Sequence, residues 1–190
     1  MIDAGFRCVE GEGVAVRRFR ADDADALAAY RSDPEVARHQ GFEPCSADEA
    51  GRFIESLQKR SPGEPGEWFQ FAISRKPDGP LLGDLALRCT QGDPRLAELG
   101  FSLARKSQRQ GIAGAAIRTL LDYAFPALGL HRVHAVTDER NAAARRLLER
   151  LGFRREAHFV KASWFKGAWS SELVYATLRD EWSQRTRDDG

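Results

Sequence analysis

The stretch of sequence that decides the fold is the glycine turn Gln108-Arg109-Gln110-Gly111-Ile112-Ala113-Gly114. A strand-like segment, residues 96–104, precedes this turn, and a helix-like segment, residues 112–128, follows it. A glycine-rich turn that opens a helix directly after a strand leaves several backbone N–H groups unpaired at the positive end of the helix dipole. Such a turn is able to hold a pyrophosphate.

The turn matches neither of two common nucleotide-binding loops. A Walker loop needs a Lys-Ser/Thr pair after its last glycine, whereas Gly114 is followed by Ala115-Ala116-Ile117. A dinucleotide fingerprint needs three spaced glycines near the start of a βαβ unit, whereas Gly111 and Gly114 supply two and more than half the chain precedes them. Both interpretations are therefore weak.

Composition narrows the class of protein. A chain of 190 residues is long enough for one domain with a core, and its formal net charge of +1 gives no basic field for nucleic acid or anionic lipid. Cys8, Cys45 and Cys89 show no CxxC spacing, so neither a disulfide framework nor a metal site is expected. Because no stretch of 18 apolar residues occurs, we expect a cytoplasmic protein.

Alternating and helical periodicities divide the rest of the chain into short elements. Strands are predicted at residues 14–19, 68–74, 81–89, 96–104, 132–137, 153–159 and 173–178. Helices are predicted from Asp22 to Tyr30, from a capping box at Ser46 to about residue 60, over 112–128 and from Asn141 to Leu151. Residues 183–190 contain no apolar side chain that could anchor them, so this tail is predicted to be disordered.

Three motifs in this order resemble the GNAT superfamily of acyl-CoA-dependent N-acyltransferases over about residues 14–179. They are Ala97-Glu98-Leu99-Gly100-Phe101-Ser102-Leu103, the pattern Gln108-x-x-Gly111-x-Ala113, and Asn141 followed by Leu147-Leu148-Glu149-Arg150-Leu151-Gly152-Phe153. The later Trp164-Phe165-Lys166-Gly167-x-Trp169 with Tyr175 resembles the RimJ/RimL type. Enzymes of that type acetylate protein N-terminal amines, and many of their relatives act on small amines.

The resemblance implies an α/β fold of the α+β type in a single domain, residues 1–190. It implies a mixed, partly antiparallel sheet of about six to seven strands flanked by about four helices. It also implies acetyl-CoA as cosubstrate, with the pyrophosphate on the N–H groups of residues 109–114 and the pantetheine arm along the backbone of residues 101–103. The implied cofactor-binding residues are Phe101, Ser102, Leu103, Gln108, Arg109, Gln110, Gly111, Ile112, Ala113, Gly114, Asn141 and Arg146.

Acyl transfer to an amine requires a base, because α-amino groups titrate at about 8 and lysine at about 10.4. Glu98 aligns with the strand glutamate that acts as general base in several GNAT enzymes, and the alternative is a structural carboxylate paired with an arginine. The family's acid positions hold Ala144 and Leu148, and neither can give a proton. Departure of CoA as an unprotonated thiolate costs only about 2 kcal/mol at neutral pH. Water or another side chain is therefore able to serve as the acid.

Other polar and aromatic side chains are weaker candidates. His39, Phe42, Trp68 and Trp164 are the predicted acceptor-pocket residues, although such aromatics are more often core. Structural roles are the favoured interpretation of Tyr123, Tyr175 and His134, and a nucleophilic role of Cys89 is improbable. Ser171 stands where the family pattern has an acid, with Glu172 next to it, so acceptor specificity is not carried over.

The first hypothesis is therefore an acetyl-CoA-dependent N-acetyltransferase that acts by direct attack in a ternary complex. Its acceptor is a primary amine, either a protein N-terminal amine or a small molecule such as an antibiotic, a polyamine or an amino acid. The second hypothesis is a non-catalytic acyl-CoA-binding module, and the third is a nucleotide-binding protein. We expect no nucleic-acid or membrane partner, and a homodimer is possible.

Overall fold

The computed structural model describes residues 1–188, with side chains through Arg185, and contains eight strands and six α-helices in that range. The strands are β1 Cys8–Gly11, β2 Val14–Arg17, β3 Trp68–Ser74, β4 Gly83–Cys89, β5 Leu96–Leu103, β6 Arg132–Asp138, β7 Arg154–Phe165 and β8 Ala168–Leu178. The helices are α1 Ala24–Arg31, α2 Pro34–Ala37, α3 Ala47–Gln58, α4 Ile112–Ala127, α5 Ala142–Arg150 and α6 Arg179–Asp188.

One mixed sheet in the order β1-β2-β3-β4-β5-β6-β8-β7 joins all eight strands. Strands β1 to β5 form an antiparallel meander, β5 and β6 are parallel, and β6, β8 and β7 are antiparallel. The α/β class with a mixed sheet is confirmed, and the strand count is one or two higher than predicted. The four-residue strand β1 was missed because it is too short for its alternation to stand out.

Helices cover both faces of the sheet. Helix α4 lies against β1, β2 and β5, and its Ile117 and Leu120 share the larger core with Phe71 and Leu85. Helices α1 and α3 cover the opposite face, where Leu27 and Ile54 meet Ala72 of β3. Phe71 and Ala72 are neighbours in sequence, so the period-two alternation of β3 supplies both cores at once.

The parallel pair β5 and β6 separates after a few residues. Their ladder joins residues 96–98 of β5 to residues 132–134 of β6. Beyond that point β5 stays paired with β4 as far as Leu103, while β6 stays paired with β8 as far as Asp138. The two strands therefore leave a gap between residues 100–103 and residues 136–138.

Two predictions about the C-terminal part were wrong. Strands β7 and β8 form a longer hairpin than the predicted segments 153–159 and 173–178, because much of β7 is exposed and carries no apolar alternation. The tail predicted to be disordered is helical through Asp188, and positions 189–190 lie outside the described residues. Buried Trp182 ties helix α6 to the domain, since its indole N–H donates to Asp122 at 2.7 Å.

No helix within residues 1–188 is both long and apolar enough to cross a bilayer.

Candidate active site

A groove of about 900 Å³ runs between the end of β5 and the N-terminal ends of α4 and α5. Eleven of the twelve cofactor-binding residues predicted from the sequence line it: Phe101, Ser102, Leu103, Gln108, Arg109, Gly111, Ile112, Ala113, Gly114, Asn141 and Arg146. The twelfth, Gln110, is not in the lining. Its amide nitrogen donates to the Lys106 carbonyl at 2.7 Å, and its amide oxygen accepts from Arg75 at 3.1 Å.

The glycine turn shapes one end of the groove. Arg109 and Gly111 both have left-handed backbone angles, with φ of +60° and +76°, and Gly111 directly precedes the sixteen-residue helix α4. The space beside Gly111 is open, because a Cβ there would meet no atom within 4 Å. The first N–H groups of α4 lack helical partners and lie at the positive end of its dipole, so this end of the groove suits an anion.

Arginines dominate the charge of the groove. Six line it: Arg38, Arg109, Arg118, Arg140, Arg146 and Arg150. Of these six, only Arg109 and Arg146 were predicted from the sequence. Spacing could have found two more, because Arg118 is four residues after Gly114 and Arg150 is four residues after Arg146, which places each pair on one helix face. Six cations around one groove favour a ligand with several phosphates.

A smaller cavity of about 170 Å³ lies at the gap between β5 and β6. Gly100 and Val136 line it from the two strands, and Glu172 lines it from β8. Its lining shares five residues with that of the large groove: His39, Gln40, Phe101, Asn141 and Ala144. The two spaces therefore meet, and a ligand in the groove is able to extend one end into the cavity.

Two side chains hold the segment after α2 over this junction. The Gln40 amide donates to the Phe101 carbonyl of β5 at 3.1 Å. From the turn between β7 and β8, the Lys166 ammonium donates to the Ala37 carbonyl at 2.6 Å. The ring of His39, between these two anchors, lines both spaces.

Asp138 and His39 both line the cavity, and they differ in charge near neutral pH. Asp138 accepts hydrogen bonds from Arg140 and from the Ser170 hydroxyl at 2.7 Å, and these bonds hold its pKa well below the usual carboxyl range. Burial lowers the pKa of His39 from its ordinary value of 6.5. Near pH 7, Asp138 is thus an anion and His39 is a neutral imidazole.

Glu98, the predicted general base, lines neither space. Its carboxylate pairs with Arg88 of β4 at 2.5 Å, and the Arg88 guanidinium lies 4.8 Å from the centre of the Trp68 ring. Cross-strand register aligns Trp68, Arg88, Glu98 and His134 in one row across β3 to β6. Glu98 projects from the same face of β5 as Gly100, which lines the cavity about 7 Å further along the strand.

The other residues predicted from the sequence to line the acceptor pocket lie apart from one another. Phe42 packs against the Arg31 guanidinium at 5.0 Å, and Trp164 is 64% exposed beside Trp169 on the β7–β8 hairpin. Neither they nor Trp68 line the groove or the cavity. Of the four predicted acceptor-pocket residues, the structure brings only His39 to the cavity.

Hydrogen bonds account for the two tyrosines and the asparagine that the sequence motifs and predicted helices include. The Tyr175 hydroxyl donates to Glu149 at 2.8 Å, and the Tyr123 hydroxyl donates to Asp3 at 2.6 Å. The Asn141 side-chain oxygen accepts from the Ala144 N–H at 3.1 Å and so caps α5.

The two positions at which the resemblance implies an acid lie at the small cavity. Ala144 and Leu148 both line the cavity, so apolar side chains stand where an acid is expected.

Known proteins share this fold and sequence pattern. Residues 14–154 match the family described as "Acetyltransferase (GNAT) domain". A Bacillus subtilis protein named "Putative ribosomal N-acetyltransferase YdaF" is 33% identical, over 93% of this chain and 97% of the relative. The "Uncharacterized N-acetyltransferase p20" of Bacillus licheniformis is 27% identical, over 90% and 96%. The structure of Mycobacterium smegmatis RimJ in complex with CoA-disulfide has the same fold, with a TM-score of 0.81, 24% identity and coverage of 100% and 98%. The chain belongs to the GNAT family of acetyltransferases.

Proposed function

We propose that this protein is an acetyl-CoA-dependent N-acetyltransferase that transfers the acetyl group directly to a primary amine. The observation that carries the proposal is the junction of the arginine-lined groove with the small cavity in the β5–β6 gap. A nucleotide with phosphates fits the first space, and a thioester and an amine fit the second. A direct transfer needs both reactants in one complex, and the two connected spaces provide for that.

The residues at the groove fit CoA chemically. The N–H groups at the start of α4 would hold the pyrophosphate, and the arginines would neutralise its charge together with that of the other phosphate. Gln40 and Gln108 donate to the Phe101 and Leu103 carbonyls, which shows that these carbonyls point away from β4 and into the groove. The N–H groups of these two residues point to the same side, so the β5 edge is available to the pantetheine amides and to an oxyanion.

The acceptor we propose is a protein N-terminal amine. The name of the Bacillus subtilis relative, a ribosomal N-acetyltransferase, supports this choice. A small-molecule amine is the alternative, and a non-catalytic acyl-CoA-binding role is favoured only by the apolar Ala144 and Leu148 at the acid positions. Cytoplasmic location and a homodimer stay predictions from the sequence.

The test measures release of the CoA thiol from acetyl-CoA with peptides of varied N-terminal residue and with a panel of small amines. We expect release with at least one peptide, dependent on both substrates, and a product acetylated on its α-amine. Binding of acetyl-CoA without release for any acceptor would contradict catalysis and favour the binding module. Release only with small amines would overturn the peptide acceptor alone.

Arg118 provides a test of the groove. Its guanidinium lies beside Gly114, and we expect Arg118→Gln to weaken CoA binding about tenfold, the size of one lost charge-assisted hydrogen bond. Calorimetric titration at low and high salt measures the effect, which should shrink as salt screens the charge. Arg105→Gln is the matched control, because Arg105 is an exposed arginine near the same turn that does not line the groove. Equal affinities of the two variants would contradict this placement.

A further inference from the structure

The Nδ1 atom of His39 is buried at a position that no hydrogen bond among the described residues explains. This atom is sealed from solvent and has no hydrogen-bond partner among the described residues. Buried polar atoms without partners are rare, and each one needs a reason. The backbone around it is nevertheless fixed, since the bonds at Ala37 and Phe101 hold the segment on both sides of the ring.

The ring stands where the groove opens into the cavity, and it lines both. A CoA molecule in the groove would place its sulfur at this junction, with the amine arriving from the cavity side. Of the five residues that line both spaces, His39 is the one with a titratable side chain, so it would lie between the atom that gains a proton and the atom that loses one.

The surroundings keep the imidazole able to accept a proton. Burial lowers its pKa, and so do the nearby cations Arg38, Arg140 and Lys166, while Asp138 of β6 acts in the opposite direction. Glu172 of β8 lines the same cavity. Imidazolium is a stronger acid than a thiol, whose pKa is about 8.5, so a proton taken up by His39 passes readily to a thiolate.

The two family acid positions supply no proton donor to the cavity, and the hydroxyl residues that line it are Thr137, Ser163 and Ser170. Ala144 and Leu148 have no proton to give, and the Ser170 hydroxyl is engaged with Asp138, which is itself held as an anion. Of the titratable side chains that line the cavity within the described residues, this leaves His39 and Glu172.

We propose that His39 is a catalytic residue that carries a proton from the attacking amine to the sulfur of CoA. This inference rests on the proposed function. The ammonium of the acceptor first loses one proton to water, directly or by way of Glu98. As the neutral nitrogen forms its bond to the carbonyl carbon, His39 accepts the second proton. When the C–S bond breaks and its electron pair stays on sulfur, His39 returns that proton and is neutral again, which leaves an amide and a free thiol.

The kinetic test compares His39→Gln with wild type across pH. In the wild type, kcat should rise with pH through the lowered His39 pKa and then level off, since only the neutral ring accepts a proton. His39→Gln should lower kcat about 100-fold, abolish this acid limb and leave CoA affinity within twofold. His131→Gln is the control. His131 is an exposed histidine that lines neither space, and its variant should keep both the rate and the acid limb.

Chemical rescue separates catalysis from a structural role. In His39→Ala, added imidazole should restore a substantial part of the rate, whereas a ring needed only for packing would give no rescue. A variant with an unchanged melting temperature, an unaltered acid limb and no rescue would overturn the proposal. A loss of the limb in Glu172→Gln instead of His39→Gln would assign the proton to Glu172.

A second measurement does not depend on turnover. The chain has four histidines, so His39→Gln assigns the His39 ring signals in an NMR spectrum. CoA should shift these signals and their titration, and desulfo-CoA, which lacks the thiol, should not. Equal shifts with both ligands would overturn the placement of His39 at the sulfur. This result would stand even if no acceptor were turned over, so it is distinguishable from failure of the proposed function.

Discussion

Replacement of Glu98 by Gln is expected to lower kcat about 10²- to 10⁴-fold while the Kd for CoA changes less than twofold. Glu98 shares a strand face with Gly100 of the cavity wall, which lies two residues and about 7 Å further along β5, so water is able to link the Glu98 carboxylate to the cavity. The Glu98 carboxylate pairs with Arg88 at 2.5 Å, which holds it in place on β5. Steady-state rates and a separate calorimetric titration of CoA measure the two quantities.

The control for Glu98 is Glu67→Gln. Glu67 also pairs with an arginine, Arg60 at 2.8 Å, but it is exposed and lines neither the groove nor the cavity. Its variant should retain the wild-type rate. If Glu98→Gln does so too, Glu98 is a structural carboxylate in the row with Trp68 and Arg88, which is the alternative that the sequence left open.

Asp23→Ala is expected to lower the free energy of unfolding by about 3–5 kcal/mol, because it leaves a buried guanidinium without its partner. Asp23 and Arg17 are 2% and 3% exposed, and the two side chains form a bidentate pair at 2.6 and 2.9 Å. Asp23 also accepts the Arg20 N–H at 2.8 Å, which fixes the chain between β2 and α1. Urea denaturation followed by circular dichroism gives the change.

The neighbouring Asp22 provides the control. Its side chain is 73% exposed and pairs with Arg20 at 3.2 Å, so Asp22→Ala should cost less than about 0.5 kcal/mol. The double variant Arg17→Met with Asp23→Leu removes both charges and should be more stable than Asp23→Ala alone. Equal losses for Asp22→Ala and Asp23→Ala would contradict the role of burial.

Elements with strong local signals were predicted closely. The capping box at Ser46 is present, since its hydroxyl accepts from the Glu49 N–H and the Glu49 carboxylate accepts from the Ser46 N–H. Helix α4 begins at Ile112 as predicted and ends one residue early, at Ala127. Turn glycines and caps act over four residues or fewer, so these features are visible without the fold.

Elements whose stability comes from contacts distant in sequence were not predicted from local patterns. Helix α6 is strongly polar, and it is held by Trp182 against Asp122 of α4 and by Arg154 of β7, which donates to Glu181. The β7–β8 hairpin runs to Phe165 through exposed residues that alternation does not mark. Tertiary packing overrides weak local preference in both cases.

The sequence by itself determined the groove. The glycine turn, the strand before it and the Asn141 helix after it are local patterns, and eleven of the twelve residues chosen from them line one space. Only the tertiary structure decided the small cavity, because it forms where β5 and β6 separate and it takes His39, Gly100, Asp138 and Glu172 from four distant segments. The sheet register paired Glu98 with Arg88, and the packing of the segment after α2 brought His39 to the junction. Local backbone features such as the glycine turn depend on neighbouring residues, whereas contacts between side chains that are distant in sequence depend on strand pairing and packing.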